Sequence, residues 1–395
     1  MSGPTTGLAP SLQRSRNIAL LAGLAGMLGC GIGYAVDPTQ TLRSYLVGYC
    51  FWTGIALGCF PLILIHHLTG GRWGYAVRRP LEAGALTIPL MALLFVPLAL
   101  GIRAIYGAWA DPSQMAHHAV VLAKKPYLNE AFFLQRSAGY FAFWTMLALW
   151  LNRLSRRQDN PATEAGASRW LGTFSGPALL LHVFAVSFAS VDWIMSLEPE
   201  WYSTIFGPLW MSGQVLTAFA FMILVVAPRR DEMPRPDLTA PEPLNDLGNL
   251  LLAFVMLWAY ANLSQFLIIW SGNLPEEIPW YLKRMKGGWE WVGVALIVFQ
   301  FILPFLVLLH RENKRSPARL ARLASLIVVM NLLSTYWLIV PSFTPGKFTL
   351  AWQAPVAVVG IGGIWISAFL WLLGRTPVVP GNAPEPEAHH HEGAH

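Results

Sequence analysis

The sequence predicts an all-α polytopic membrane protein of about ten transmembrane helices, and three observations carry that reading. Of 395 residues, 55% are hydrophobic and only 12% are charged, about half the charged fraction of an ordinary soluble domain. The apolar residues come in long runs, such as 17–36 and 175–191, close to the ~20 residues that cross a hydrocarbon core of about 30 Å. A large soluble core would show polar faces between them. Lysine and arginine gather in alternate connectors, the asymmetry that orients membrane helices.

Ten spans follow in order, at 18–36, 45–68, 82–106, 132–152, 170–195, 203–227, 247–271, 290–310, 319–341 and 351–373. Each is helical because lipid offers a bare backbone group no partner. Turn signals mark the connectors: Asp111-Pro112, Pro126, Asp159-Asn160-Pro161, the stretch 234–243, Pro275 and Pro345. Eighteen tryptophans and eleven tyrosines fit two interfacial aromatic belts. With a cytoplasmic N-terminus, 18 of the 27 Lys and Arg fall on the cytoplasmic side and 7 on the other, leaving Arg103 and Arg136 within spans. The expectation is a multi-pass protein of a bacterial inner membrane with both termini cytoplasmic. A short segment, 1–17, precedes a membrane domain over 18–374. Arg14, Arg16 and Cys30 faintly suggest a lipoprotein leader, but the apolar run continues to Val36, so the first span is expected to be retained. The tail, 375–395, is rich in Pro, Glu and His and is expected to be disordered. Its His389, His390, His391 and His395 could take a metal adventitiously; a solvated tail is the plainer expectation.

Cys30, Cys50 and Cys59 form no CxxC, no CxxCH and no ligand quartet, so no iron–sulfur or c-type haem site is visible. The net charge of +6 sits in loops between spans, and nucleic acid is not an expected partner.

Polar side chains within spans are costly in lipid and are therefore the candidate functional residues. Asp192 lies near the outer end of the fifth span, where a carboxylate could exchange protons with the outer face; a helix-end hydrogen bond is the competing reading. His182 lies ten residues earlier, about 15 Å deeper and about 80° away in azimuth, so the two form no direct pair. It is a proton relay, a haem ligand or a structural donor. Trp258, Asn262 and Gln265 share an i, i+4, i+7 face with Ser264 beside it, and Asn331 is a similar signal in the ninth span; a wet cavity or plain interhelical packing explains either. Arg136, with Tyr140 one turn on, and Arg103 could hold an anionic or carbonyl group, or snorkel. His66, His67 and Glu82 mark the cytoplasmic ends of the second and third spans, as a proton entry or as a polar cap with Glu82 pairing to Arg78 or Arg79. Pro89, Pro97 and Pro208 should kink their helices and free carbonyls for polar partners.

Five irregular stretches carry a family resemblance: SVDWIMSLEPEWYSTIFGPLW (190–210), WAYANLSQFLIIWSGNLPEEIPWY (258–281), IHHLTGGRWGYAVRRPLEA (65–83), KKPYLNEAFFLQR (124–136) and ARLARLASLIVVMNLLSTYWLIVPSF (318–343). Together they resemble ActF, the NrfD/PsrC-like membrane subunit of bacterial alternative complex III. Family members often carry a charged pair where this chain has Asn331 and Ser334. The resemblance implies two four-helix bundles, about 45–195 and 203–341, with two flanking helices. It also implies a redox-inert subunit of a respiratory or photosynthetic complex that oxidises quinol (menaquinol or ubiquinol). Haem and iron–sulfur clusters would sit in partner subunits, beside an ActC-like paralogue, and this chain would hold no cofactor except, in one reading, quinone. Carried over, Asp192, His66, His67 and Glu82 would serve a proton path, and Asn262, Ser264 and Gln265 lie in a matched motif of a facing bundle. From the spans themselves, His182 is added to the proton path, and Arg136, Tyr140, Trp258 and Asn331 join the amides as candidates to line a polar cavity or quinone pocket. The alternatives are a subunit that itself binds quinol and a purely structural paralogue.

Overall fold

The computed structural model describes residues 10–115, 119–232, 235–377 and 379–383. Among them every regular element is helical, and nine helices are long and apolar enough to cross a membrane. These are α1 (Pro10–Val36), α2 (Pro38–Thr69), α3 (Arg72–Ala85, continued by Ile88–Leu94 and Val96–Leu100), α5 (Glu164–Trp193), α6 (Phe206–Val226), α7 (Pro241–Gly272), α8 (Trp289–Ala295, continued to Leu309), α9 (Pro317–Ile339) and α10 (Gln353–Leu373). The tenth is α4 (Glu130–Gln158), whose 29 residues reach about 43 Å but whose charges, Arg136 among them, reduce its apolarity. The chain is thus an all-α polytopic membrane protein of about ten helices.

Local chemistry sets the helix ends. Asp37 caps α2 by accepting from the Gln40 N–H at 2.9 Å, with Pro38 in the first turn. Asn129 caps α4 in the same way through the Phe132 N–H, and Arg156 and Arg157 face the negative end of its dipole. Asn273, at φ +50°, ends α7 in the left-handed conformation.

Packing centres on α2, whose most apolar window is 94% buried, against 22% for α1 and for α8. It touches α1, α3, α5, α6, α9 and α10, and α6 in turn packs against α3, α5, α7 and α9. The α2–α6 seam therefore joins 45–195 to 203–341, while α1 and α10 pair with each other along one side. The lipid-sized outer faces of α7 and α8 stay exposed, with Tyr260, Trp270, Trp291 and Ile297 on them.

Several expectations are corrected. The third span begins at Arg72, ten residues earlier than expected, because Arg78 and Arg79 are buried ion-pair partners and not solvated loop residues. It breaks at Leu86 and Phe95, next to Pro89 and Pro97. There the Tyr45 and Tyr49 hydroxyls donate to the carbonyls of Leu94 (2.9 Å) and Met91 (3.1 Å), tying the broken helix to α2. Pro208 causes no kink: it lies in the first turn of α6, where its missing N–H has no intrahelical acceptor to lose. Beyond α10 the chain does not run free at once. Pro380 is buried, Val379 and Ala383 pack on the core, and the Gly381 N–H donates to Asp159 Oδ1 at 2.8 Å. His389, His390, His391 and His395 lie outside the described residues.

The α1–α10 contact has no room for side chains. A Cβ on Gly26 would lie 2.5 Å from Gly360 Cα, whereas one on Gly31 would meet nothing within 4 Å. Gly26→Leu is expected to lower stability by about 1–3 kcal/mol through overpacking, and Gly31→Leu to leave it unchanged, as read by thermal unfolding in detergent.

Candidate functional site

Three polar centres sit inside the helical body. The first forms where α4 begins and α5 ends. Asp192 is 0% exposed, and Arg136 grips it with two bonds, Nε to Oδ2 and Nη2 to Oδ1, both 2.9 Å. Tyr140, one turn along from Arg136 and so on the same face, donates its hydroxyl to Oδ2 at 2.8 Å. The remaining guanidinium nitrogen, Nη1, donates to the Tyr127 carbonyl at 3.0 Å. The Tyr127 and Phe132 rings lie 3.8 and 4.2 Å from its centre, a stacked cation site. The one-turn helices of 102–110 lock the assembly, Tyr106 donating to the Trp193 carbonyl and Trp109 to that of Ser196. Arg136 therefore does not snorkel, and Asp192 is not a lone desolvated carboxyl but one arm of a closed ion pair. Arg103 does reach solvent: its side chain is 72% exposed and it meets Glu130.

The second centre closes the opposite end. Glu82 accepts from Arg78 Nε (2.9 Å) and Arg79 Nη1 (2.8 Å), the i−4 and i−3 partners, and from the Ser155 hydroxyl of α4. Asp159 balances Arg79, and Arg78 also reaches Gln158 and, in the C-terminal segment, Asn382. Two buried guanidinium groups thus face two carboxylates, as burial of charge requires. Gln158 carries the network on to Ser168 of α5 at 2.7 Å. His66 is buried against the Trp73 and Tyr75 rings with Nδ1 unpartnered, and its ring lies 5.6 Å from that of half-buried His67. Gly74 makes this possible, since its missing side chain leaves the space that the imidazole fills.

Between the two ends, α5 carries His182, 0% exposed, with both ring nitrogens unpartnered. Phe60 and Trp144 flank it at 5.3 and 6.3 Å. Trp193, next to Asp192, is ringed by Tyr49, Phe95, Phe141, Trp144 and Trp210. The interval between His182 and Asp192 is packed with aromatic rings.

The third centre lies in the second half of the chain. Trp258 and Asn331 meet at a small cavity between α2, α6, α7 and α9. Asn262 and Ser264 do not join them: the buried face of α7 is Trp258, Ala261, Gln265 and Ile269, and the Asn262 amide turns back to the Trp258 carbonyl. Gln265 lies away from that cavity, within 3.4 Å of the Ser203 hydroxyl. Gln214 and Gln300, unpartnered amides in α6 and in the π-helical turn of α8 (Leu296–Ile302), were missed, although the rule that flagged Asn331 applies equally to them.

A clamp was missed too. Glu198, just beyond α5, accepts from Arg284 (3.0 Å), Lys283 (2.7 Å) and Ser342 (2.8 Å), so it ties the first half of the chain to the second. Arg284 is buried and stacks at 3.7 Å on Trp280, its i−4 neighbour. That Trp-x-x-x-Arg spacing was the available signal. Burial pushes the Glu198 carboxyl up, but Arg284 and Lys283 outweigh it and hold it below the ordinary 4.5.

No family model matches the chain, and no curated protein matches it.

Removing one arm of the Arg136–Asp192 ion pair strands a buried charge. Arg136→Ala and Asp192→Ala should each lower stability by about 3–5 kcal/mol, and the apolar pair Arg136→Met with Asp192→Leu by clearly less than the sum in a double-mutant cycle. A carboxyl whose pKa is depressed on folding stabilises above its unfolded value and loses that stability as pH falls through the folded one. Acid titration of the unfolding midpoint should therefore show a loss below about pH 4.5 that is flattened in Glu198→Gln.

Proposed function

We propose that this chain is an ActF-like membrane subunit of a quinol-oxidising complex of the alternative complex III type. In this reading it holds no redox centre and supplies part of a proton route across a bacterial inner membrane, with both termini cytoplasmic. The five stretches quoted above support the family. His182 carries the proton reading. It is a fully buried imidazole with no hydrogen-bond partner on either nitrogen, and it sits on α5 between Ser168, which belongs to the Glu82 network, and Asp192, which belongs to the outer ion pair. A neutral imidazole can accept and donate a proton through its two nitrogens. The aromatic packing around it means that the route is not a standing water wire. A proton reaching Asp192 would neutralise the carboxylate and release Arg136, a local event of the kind that shifts a two-state element. Neighbouring subunits, an ActC-like paralogue with iron–sulfur and haem c chains, would supply the redox energy.

A second reading, that this chain itself binds quinol, is favoured by one observation. A cavity of about 280 Å³ lies beside the outer ion pair, lined by Tyr127, Leu128, Val191, Met195, Trp201 and Tyr202, with Lys124 at its wall. That is near the lower end of the size range of small-molecule pockets.

The test is proton release by the purified complex in liposomes during quinol oxidation. His182→Leu and Asp192→Asn should abolish proton release and leave quinol oxidation largely intact. Undiminished release in both variants would remove the proton role. Loss of oxidation together with loss of a photoreactive quinone label on 124–128 or 191–202 would favour the second reading.

A further inference from the structure

Helices α2 and α6 approach closely where Gly54 and Gly58 face Gln214 of α6. The Gln214 side chain is thereby committed to the interior. The residue is 4% exposed, and neither its amide nitrogen nor its amide oxygen has a hydrogen-bond partner. It lines a cavity of about 20 Å³ together with Thr217 of α6, Trp258 of α7 and Asn331, Ser334 and Thr335 of α9. Two of these groups are turned away: the Thr217 hydroxyl donates to Gly213 O and that of Thr335 to Asn331 O. Asn331 Nδ2 makes only a long bond, 3.4 Å, to the Ile327 carbonyl.

From this geometry we propose that the cavity is a binding site for one ordered water, held by the Gln214 and Asn331 amides, at the joint between the two halves of the molecule. An unmet amide group in a dry interior costs about 1–3 kcal/mol, and a polar cavity above ~10–15 Å³ has room for a water with two to four partners. An apolar cavity of the same size would stay empty. A metal cation is a poorer occupant, because the wall offers no carboxylate to offset its desolvation. The bound water converts two mismatched amides into a cross-link between α6 and α9 beside the α2 seam. It requires no redox partner and is independent of the proton reading.

X-ray radiolytic hydroxyl-radical labelling of the full-length protein in nanodiscs reads this directly, because a buried side chain is oxidised efficiently only beside a bound water. Trp258 is 5% exposed and lines the cavity, whereas Trp365, also buried, donates to the Thr87 hydroxyl away from it. The expected result is labelling of Trp258 several-fold above Trp365 in the unaltered protein. Gly213→Ala would place a methyl in the cavity, 3.3 Å from Asn331 Oδ1 and 3.8 Å from the Trp258 ring, so it fills the space without displacing backbone. Gly213→Ala and Gln214→Leu should each cut Trp258 labelling several-fold and leave Trp365 unchanged. Trp258 labelling as low as Trp365 in the unaltered protein overturns the proposal, and that arm needs no variant to fold. Labelling that persists undiminished in both variants overturns it as well.

Discussion

Each arginine buried in the interior of this protein is returned to neutrality within a few ångströms, and the architecture depends on that constraint. Arg136 with Asp192, Arg78 and Arg79 with Glu82 and Asp159, and Arg284 with Glu198 each join segments distant in sequence. In a medium of low dielectric a stranded charge is far more costly than a lost contact. These pairs therefore fix which helices are neighbours and how each is rotated about its axis. Their supporting donors, Tyr140, Ser155 and Ser342, use up remaining lone pairs on the carboxylates. The polar centres are consequently stiff, and a proton moving through either end must first break a charge pair.

Much of the fold was legible because span length and apolarity are local properties. The positions of α6, α8, α9 and α10 follow from run length within a few residues. The pairing of Glu82 with Arg78 and Arg79 was also legible, since i−3 and i−4 spacing places those side chains together on any helix. What escaped depends on helix rotation. Arg136 and Asp192 are 56 residues apart, and Arg284 and Glu198 are 86 apart; no periodicity says which faces will meet. Asn262 illustrates the error. The stripe through Trp258, Asn262 and Gln265 and the stripe through Trp258, Ala261 and Gln265 differ by a small turn of α7, and packing against α6 selects the second. The early start of α3 escaped because three charged residues in one turn read as a loop until their partners are known.

The two halves of the chain differ in how they use polarity. The first buries ionisable groups at its two ends and fills the interval with aromatic rings. The second also buries Arg284 and Lys314 near its ends, but fills its interval with neutral amides, Gln214, Gln265, Gln300 and Asn331, distributed over four helices. Neutral amides do not resist burial as charges do, and they tolerate small rearrangements of their partners. The π-helical turn around Gln300 adds a local irregularity of the kind that recurs at functional positions in helices. The Glu198 clamp and the α2–α6 seam hold these unlike halves together.

The pairing of α1 with α10 bears on biogenesis. Helix α1 carries a glycine face matched to α10, which is made much later. That face has no docking partner during synthesis of the roughly 300 intervening residues, which at ~5–20 residues per second is a wait of tens of seconds. Through that interval α1 can rest on α2, but its glycine face is covered only once α10 has been made. Truncation anywhere before residue 353 therefore leaves that face without the helix that fits it.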